Sequence, residues 1–416
     1  GVLTFARSVG YAVVKKPEGY TTAKVDQIIQ EYEKKSANEQ QSTAKQYPNI
    51  ITVVNETFAD IKVLGDFKTN EDYMPYFHSL KKNCVTGYTY ASIVGGQTAN
   101  TEFELLTGNT LGFLSAGTTA FQLYIHGQMP SLVSNLKAEG YSGNKAMHPF
   151  NPYNYNRPAV YKDFGFTDFI DKFDFPKNVK RVREYISDEA NVDRIISEYE
   201  KNRKKTDQPF YMYNMTIQNH SPYDKDAANF KQPIKIESSK YDAEANRYLN
   251  LIKYSDDSLK QLTSYFEKCK EPTIILFLGD HQPRLTDEFM NKITNGQYQT
   301  WSSEQMMKRY QVPFVIWANY DIKEQHIEKT SMNYIQSILT KTAGVKMTGY
   351  QRFLNEVRKE VPTITSQGYW GKNGKFYQIN DKGSPYYGII QKYRMIQYNM
   401  MFDKKNRRDS FFEVSK

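Results

Sequence analysis

The chain has 416 residues, 39% hydrophobic, with 33 tyrosines and 24 phenylalanines spread along its length. That excludes wholesale disorder and allows one large core, or one large domain with a smaller appendage. The net charge of +9, from 55 basic and 46 acidic residues, suits an anionic partner. No RNP-like pattern, zinc-finger spacing or basic helix accompanies it, which sets nucleic acid aside.

Thr22 to Lys35 places Val25, Ile28, Ile29 and Tyr32 on one helical face, which predicts an amphipathic helix packed on the body. Polar sequence from Ser36 to Gln46 reads as a linker. NIITVV (Asn49–Val54) predicts a buried strand, Ser131–Glu139 a helix and FYMYNMTIQ (Phe210–Gln218) a strand. Ala243–Lys268 repeats Leu249, Ile252, Leu259 and Leu262 as a long helix does. TIILFL (Thr273–Leu278) and Pro313–Trp317 read as strands, and Met332–Thr342 as a helix. Short buried strands alternating with helices predict an α/β sheet covered on both faces. From Gly349 onward the chain reads as a small α+β appendage. There, WGKNGKFY (Trp370–Tyr377) sets Asn-Gly between aromatic arms as a hairpin, and a helix follows over Tyr386–Phe402.

Cys84 and Cys269 form no C-x-x-C pair, so a zinc knuckle or dithiol redox site is excluded. Two buried thiols are the simple reading, and a single disulfide stays open. The longest apolar run, near Ile274–Leu278, is too short to cross a bilayer. A Gly start without a signal peptide fits a cytosolic protein or a piece of a longer one.

Chemistry is expected beyond the carboxyl ends of the strands. NIITVV runs into Asn55-Glu56, and TIILFLG into Asp280-His281. Glu, Asp and His form a mixed O/N ligand set for Mn²⁺, Mg²⁺ or Zn²⁺. GGQTANTEF (Gly95–Phe103) places Thr98 behind two glycines. It is either an ordinary turn, or a fourth ligand and nucleophile at a helix start, where backbone N–H groups meet an anion. Of six histidines, His148 in MHPFN and His220 in QNHSPY lie in polar, turn-like settings. They suit phosphate binding or proton donation to a leaving alkoxide, with a surface or capping role as the alternative. Arg157 in YNYNRP has the planar fork that clamps phosphate oxygens. His78, His126 and His326 read as structural.

In this order, NETFAD, GGQTANTEF, MHPFNPYNYNRPAVYKDFGF, QNHSPY and LGDHQP resemble the extracellular catalytic domain of lipoteichoic acid synthases and related phosphoglycerol transferases, members of the sulfatase and alkaline phosphatase superfamily. The resemblance covers Asn49 to Val345 and continues weakly into the tail. It implies a central mixed sheet flanked by helices, with a catalytic domain over 47–348, an N-terminal helical segment and linker over 1–46, and a C-terminal subdomain over 349–416. It implies Glu56, Thr98, Asp280 and His281 as metal ligands, with Thr98 also the nucleophile and Mn²⁺ the usual ion, Mg²⁺, Ca²⁺ or Zn²⁺ being alternatives. It further implies Arg157, His148 and His220 in the substrate pocket, with Tyr155 where the family commonly has Trp and Phe150 where it has Asp. Both departures fall on the glycerol side of the pocket and bear on the acceptor. Implied partners are phosphatidylglycerol at a membrane surface and a cell-wall glycan or polyglycerol phosphate. The implied setting is the outer face of a Gram-positive cell membrane, with this chain the ectodomain of a polytopic protein. Streptococcal-type glycan decoration fits better than polyglycerol phosphate extension, and a hydrolase with the same metal site is the rival.

Overall fold

Continuous β-branched and aliphatic runs form the centre of a sheet because both of their faces can be buried. NIITVV is such a run: it forms β1 (Asn49–Asn55), buried at every residue. The computed structural model describes residues 14–37 and 46–414. After β1 come β2 (Cys84–Tyr90), β3 (Ser142–Met147), β4 (Asp168–Ile170), and a small ribbon of β5 (Arg181–Val182) and β6 (Tyr185–Ile186). Then follow β7 (Phe210–Met215), β8 (Thr273–Gly279), β9 (Gln311–Ala318) and β10 (Gln325–Ser331). Eight of these build one sheet in the order β10-β2-β9-β8-β1-β7-β3-β4. Among the described strands of this sheet, only β9 runs antiparallel to its neighbours, β2 and β8. The sheet is therefore mixed, yet all its other strands end at one edge.

The helices are α1 (Thr22–Lys35), α2 (Thr98–Thr107), α3 (Arg157–Phe164), α4 (Asp188–Arg203), α5 (Ala243–Phe266), α6 (Met332–Ala343), α7 (Gly349–Glu360) and α8 (Tyr387–Met401), with several shorter turns between them. In α1 the expected face is the buried one: Val25, Ile28 and Tyr32 point inward, and Tyr32 meets Phe353 of α7 edge to face at 4.6 Å. Most of the expected linker, 38–45, lies outside the described residues. Ser36 closes α1, its hydroxyl donating to Tyr32 O at 2.9 Å.

The expected strand Phe210–Gln218 stops at Met215. Beyond it the chain turns to bind the end of β1. Thr216 N donates to Val54 O (3.0 Å), Thr216 Oγ1 accepts from Glu56 N (3.0 Å), and Asn219 Nδ2 donates to Asn55 Oδ1 (3.1 Å). Pattern reading misses β2 and β3. In β3, SGNKAM is largely polar and has left-handed residues at Gly143 and Asn144, with a register shift against β7.

From Gly349 the chain adds α7, α8 and a three-stranded sheet over Thr363–Thr365, Gly368–Trp370 and Phe376–Tyr377. The last two strands are the arms of the Asn-Gly hairpin, pairing Trp370 with Phe376. This segment shares one buried apolar cluster with the body. It is also tied there by Gln397, which exchanges hydrogen bonds with the Thr110 backbone at 2.8 and 2.9 Å. Cys84 and Cys269 are free thiols, the first buried and the second half-buried. Burial pushes the Cys84 thiol up to about 12, which keeps it unreactive. Among the described residues no helix is long and apolar enough to cross a membrane.

Candidate active site

β1 and β8 are adjacent, parallel and in register, Asn55 opposite Gly279. The next residue of each is a carboxylate, so Glu56 and Asp280 emerge side by side from the same edge. Glycine at 279 is required by close approach: a Cβ there would lie 1.9 Å from Phe58 O. Glu56, Asp280 and His281 are all buried, and each offers a ligand atom within 4.8 Å of the others.

Their hydrogen bonds leave one face bare. Asp280 Oδ1 accepts from Thr57 N (2.7 Å) and His281 N (2.8 Å), while Oδ2 has no hydrogen-bond partner. His281 Nδ1 lies 3.0 Å from Gln282 O, which can only accept, so Nδ1 donates and Nε2 is the ring atom left to face a ligand. Nε2 is also unpartnered, 3.1 Å from Asp280 Oδ2 and 3.8 Å from Glu56 Oε1. Burial first, and the Asp280 charge second, push the Glu56 carboxyl well above its usual range. Arg157 and the Thr98 hydroxyl act in the opposite direction. Lone pairs converging in a dry place are costly without a proton or cation between them. A divalent cation with hard or borderline preferences fits this donor set.

Thr98 is the first residue of α2. β2 runs to the same edge as β8, and the loop after it carries Gly95 (φ 68°), Gly96 (φ 146°) and Gln97 (φ 64°) into the helix. No side chain caps this helix start; Asn100 N turns back to Gln97 O at 2.8 Å, and the N–H groups before it have no side-chain cap. Thr101 Oγ1 donates to Asp280 O at 2.8 Å and locks the first turn onto the residue that follows β8.

One turn further along α2, Glu102 lies on the same face as Thr98. It is fully buried and accepts from Arg157 Nε (3.1 Å) and Nη2 (2.7 Å), from Tyr161 OH (2.5 Å) and from Tyr213 OH (3.1 Å). Arg157 itself is 1% exposed, and the Glu102 charge holds its proton more firmly than usual against burial. The fork is therefore not free as the sequence suggested: the Nε–Nη2 edge is held by Glu102. Tyr155, left-handed at φ 60°, lays its ring 5.1 Å from the guanidinium carbon.

His148 follows β3 and is buried. Its Nδ1 lies 3.0 Å from Met215 O, which leaves Nε2 for the cleft. Burial, then the Arg157 charge, hold it well below the usual imidazole range. His220 Nδ1 is 2.7 Å from Ser221 O, and its ring stacks on Phe150 at 6.1 Å.

The structure thus brings Glu56, Thr98, His281, His148, Tyr155, Arg157 and His220 to one cleft, with Asp280 buried beneath its floor. His78, His126 and His326 lie elsewhere. Glu102, Tyr161 and Tyr213 were not singled out in the sequence. Only the four-residue spacing from Thr98 signalled Glu102. Arg284, exposed at the mouth beside Gly95, gave no signal at all.

A mixed sheet whose strand ends carry buried carboxylates, a histidine and a helix-start hydroxyl defines the class: an enzyme with the alkaline phosphatase superfamily fold. The sulfatase family model matches residues 48–345, and the chain belongs to the sulfatase family. It is 30% identical, over 99% of its length, to a putative cyclic beta-1,2-glucan modification protein of Rhizobium meliloti, and spans 63% of that protein. It is 28% identical to the lipoteichoic acid synthase of Staphylococcus aureus over 45% of this chain and 28% of the synthase. The solved structure of the Streptococcus pyogenes phosphoglycerol transferase GacH, in complex with sn-glycerol-1-phosphate, shares the fold. Its TM-score is 0.77 at 20% identity, covering 97% of this chain and all of that one. The chain therefore spans less than two thirds of the length of the curated relatives it matches.

Proposed function

We propose that the chain transfers glycerol phosphate from phosphatidylglycerol to a glycan, through an ester on Thr98. The observation that carries this reading is the placement of Thr98 at an uncapped helix start, with its hydroxyl acting on the Glu56 carboxyl beside the bare atoms of Asp280 and His281.

Glu56, Asp280 and His281, with the Thr98 hydroxyl, would hold the ion, Mn²⁺ by resemblance. A bound dication lowers the pKa of a coordinated hydroxyl and offsets phosphoryl charge. Thr98 Oγ1 releases its proton to solvent and attacks phosphorus, the bond from phosphorus to the diacylglycerol oxygen breaks, and that alkoxide takes up one proton, so the step leaves the proton count unchanged. His220, more accessible than His148, is placed to donate it. His148, held neutral, hydrogen-bonds substrate through Nε2. Arg157 faces the phosphoryl oxygens while Glu102 fixes its plane, so that positive charge is in place before the transition state forms. An acceptor hydroxyl then attacks the Thr98 ester, and the threonine is regenerated.

The relative named for cyclic beta-1,2-glucan modification supports a glycan as acceptor, and the GacH phosphoglycerol transferase, solved with sn-glycerol-1-phosphate, supports glycerol phosphate as the group moved. Phe150 and Tyr155 present rings to the acceptor side of the cleft. In this reading the chain is the catalytic part of a longer protein acting at the outer membrane face.

The test is diacylglycerol release from fluorescent phosphatidylglycerol with Mn²⁺, comparing wild type with Thr98→Ala. Wild type releases diacylglycerol only with the ion, and Thr98→Ala falls by on the order of 10^4-fold or more. Mass spectrometry of the quenched reaction then finds glycerol phosphate on Thr98. Release without glycerol phosphate reaching any added glycan turns the reading into a hydrolase. Undiminished release by Thr98→Ala ends it.

A further inference from the structure

Single exposed hydrophobic side chains are ordinary, but aromatic rings gathered at one edge beside a cleft point to an interaction surface. Among the described residues three are exposed: Tyr153 (79%), Phe173 (74%) and Tyr241 (46%). The first two stand beside the cleft. Tyr153 follows β3, two residues before Tyr155 of the cleft wall, and Phe173 follows β4. These strands are parallel neighbours, and the segments after them are bonded together. His148 N donates to Ile170 O at 2.9 Å, and Lys172 N to Phe150 O at 3.4 Å. Both rings therefore belong to the strand edge that carries Glu56 and His281.

Lysines accompany them. Lys172 Nζ lies 5.0 Å from the Phe173 ring centre, and exposed Lys177 makes no hydrogen bond or ion pair among the described residues. The acidic residues of the segment are turned to their own backbone: Asp171 Oδ1 accepts from Phe173 N (2.7 Å), and Asp174 Oδ2 from Asp171 N (2.9 Å). These bonds shape the tight turn Lys172–Asp174 and hold Phe173 outward at its tip. Aromatic rings with neighbouring lysines, one end apolar and one cationic, are the composition that settles at a phospholipid interface.

We propose that Tyr153, Phe173, Lys172 and Lys177 form a rim that rests in the headgroup layer of a phospholipid bilayer and sets the cleft mouth against it. The idea rests on the lipid-donor reading above. A phosphodiester reaching Thr98 drags its acyl chains to the mouth, and a rim in the headgroup layer lets those chains stay in the bilayer. The rings anchor by partial insertion, while the two ammonium groups meet lipid phosphates. None of the four residues lines the catalytic cleft.

The experiment compares wild type with a Tyr153→Ser/Phe173→Ser double variant. Partition is measured by sedimentation with mixed phosphatidylglycerol–phosphatidylcholine vesicles. Cleavage is measured on short-chain phosphatidylglycerol kept monomeric in solution. Partition of the double variant falls about tenfold, since each ring loses part of its apolar transfer energy. Cleavage of the soluble donor and thermal stability stay unchanged. A Phe173→Trp variant, bound to vesicles with brominated acyl chains, shows quenching of fluorescence absent from wild type. Equal partition of wild type and double variant, or no added quenching, overturns the rim. So does a double variant that keeps vesicle binding but loses affinity for a soluble β-glucan, which makes the rings a sugar platform. If partition falls while neither protein cleaves the soluble donor, the donor reading fails and the lipid contact stands.

Discussion

The cleft has two walls built in different ways. Glu56, Asp280 and His281 leave the ends of two paired strands, and Thr98 starts a helix bonded to one of them through Thr101. Across from them, Phe150, Tyr155 and His220 stand on loops, and Tyr155 and Asn156 have left-handed backbones. Strand register fixes the first wall, and a residue added to either strand would destroy it. Loop contacts and ring stacking fix the second, where a different side chain can be fitted without moving the sheet. In the proposed reading the ion and the nucleophile belong to the first wall, while the second supplies the leaving-group proton through His220 and the choice of acceptor through Phe150 and Tyr155. Tyr155 and Phe150, where the sequence resemblance implies a departure from the lipoteichoic synthase pattern, are both on the second.

The largest expected effect falls on the strand wall. Asp280→Asn keeps an oxygen for Thr57 N and His281 N but replaces the bare Oδ2 with an amide. Activity falls by about 10^3, Mn²⁺ affinity measured by calorimetry falls with it, and thermal stability does not drop. Unchanged metal affinity would remove Asp280 from the ligand set. Next comes Glu102→Gln, which joins the two walls by neutralising the partner of buried Arg157. An arginine left in the interior without its anion costs about 3 kcal/mol in urea unfolding, and KM for the donor rises because the guanidinium plane is released. Stability equal to wild type would mean that the tyrosines alone hold Arg157.

The smallest effect is on the loop wall. His148 is held neutral below the usual imidazole range, so the unfolded chain binds more protons than the folded one once pH drops below about 6.5. Its contribution to stability is therefore present above that pH and lost as pH falls. The slope is at most about 1.4 kcal/mol per pH unit. His148→Gln makes the acid limb of the stability curve shallower. An identical limb in the variant would place that slope on other groups.

How much of this was legible in the sequence follows the same division. β1, β7 and β8 are buried on both faces, so their composition is uniform, and the residues that follow them announce themselves. β2 and β3 carry glycine and polar residues and left no clear pattern. The strand wall could be read because its chemistry adjoins recognisable strands. The ordered motifs gave the loop wall, since nothing local to His148 or His220 separates a ligand from a surface histidine. Glu102 escaped because a buried carboxylate within a helix looks, in one dimension, like any solvated acid. Arg284 escaped because position in a loop carries no periodicity.

The helix that starts at Thr98 holds the proposed attacking oxygen at its first residue and the anchor of Arg157 at its fifth. Four residues of α-helix rise about 6 Å. In the proposed reading that turn acts as a gauge block between nucleophile and guanidinium: the spacing belongs to the helix and not to the loops, so loops that change to suit another acceptor leave it unaltered.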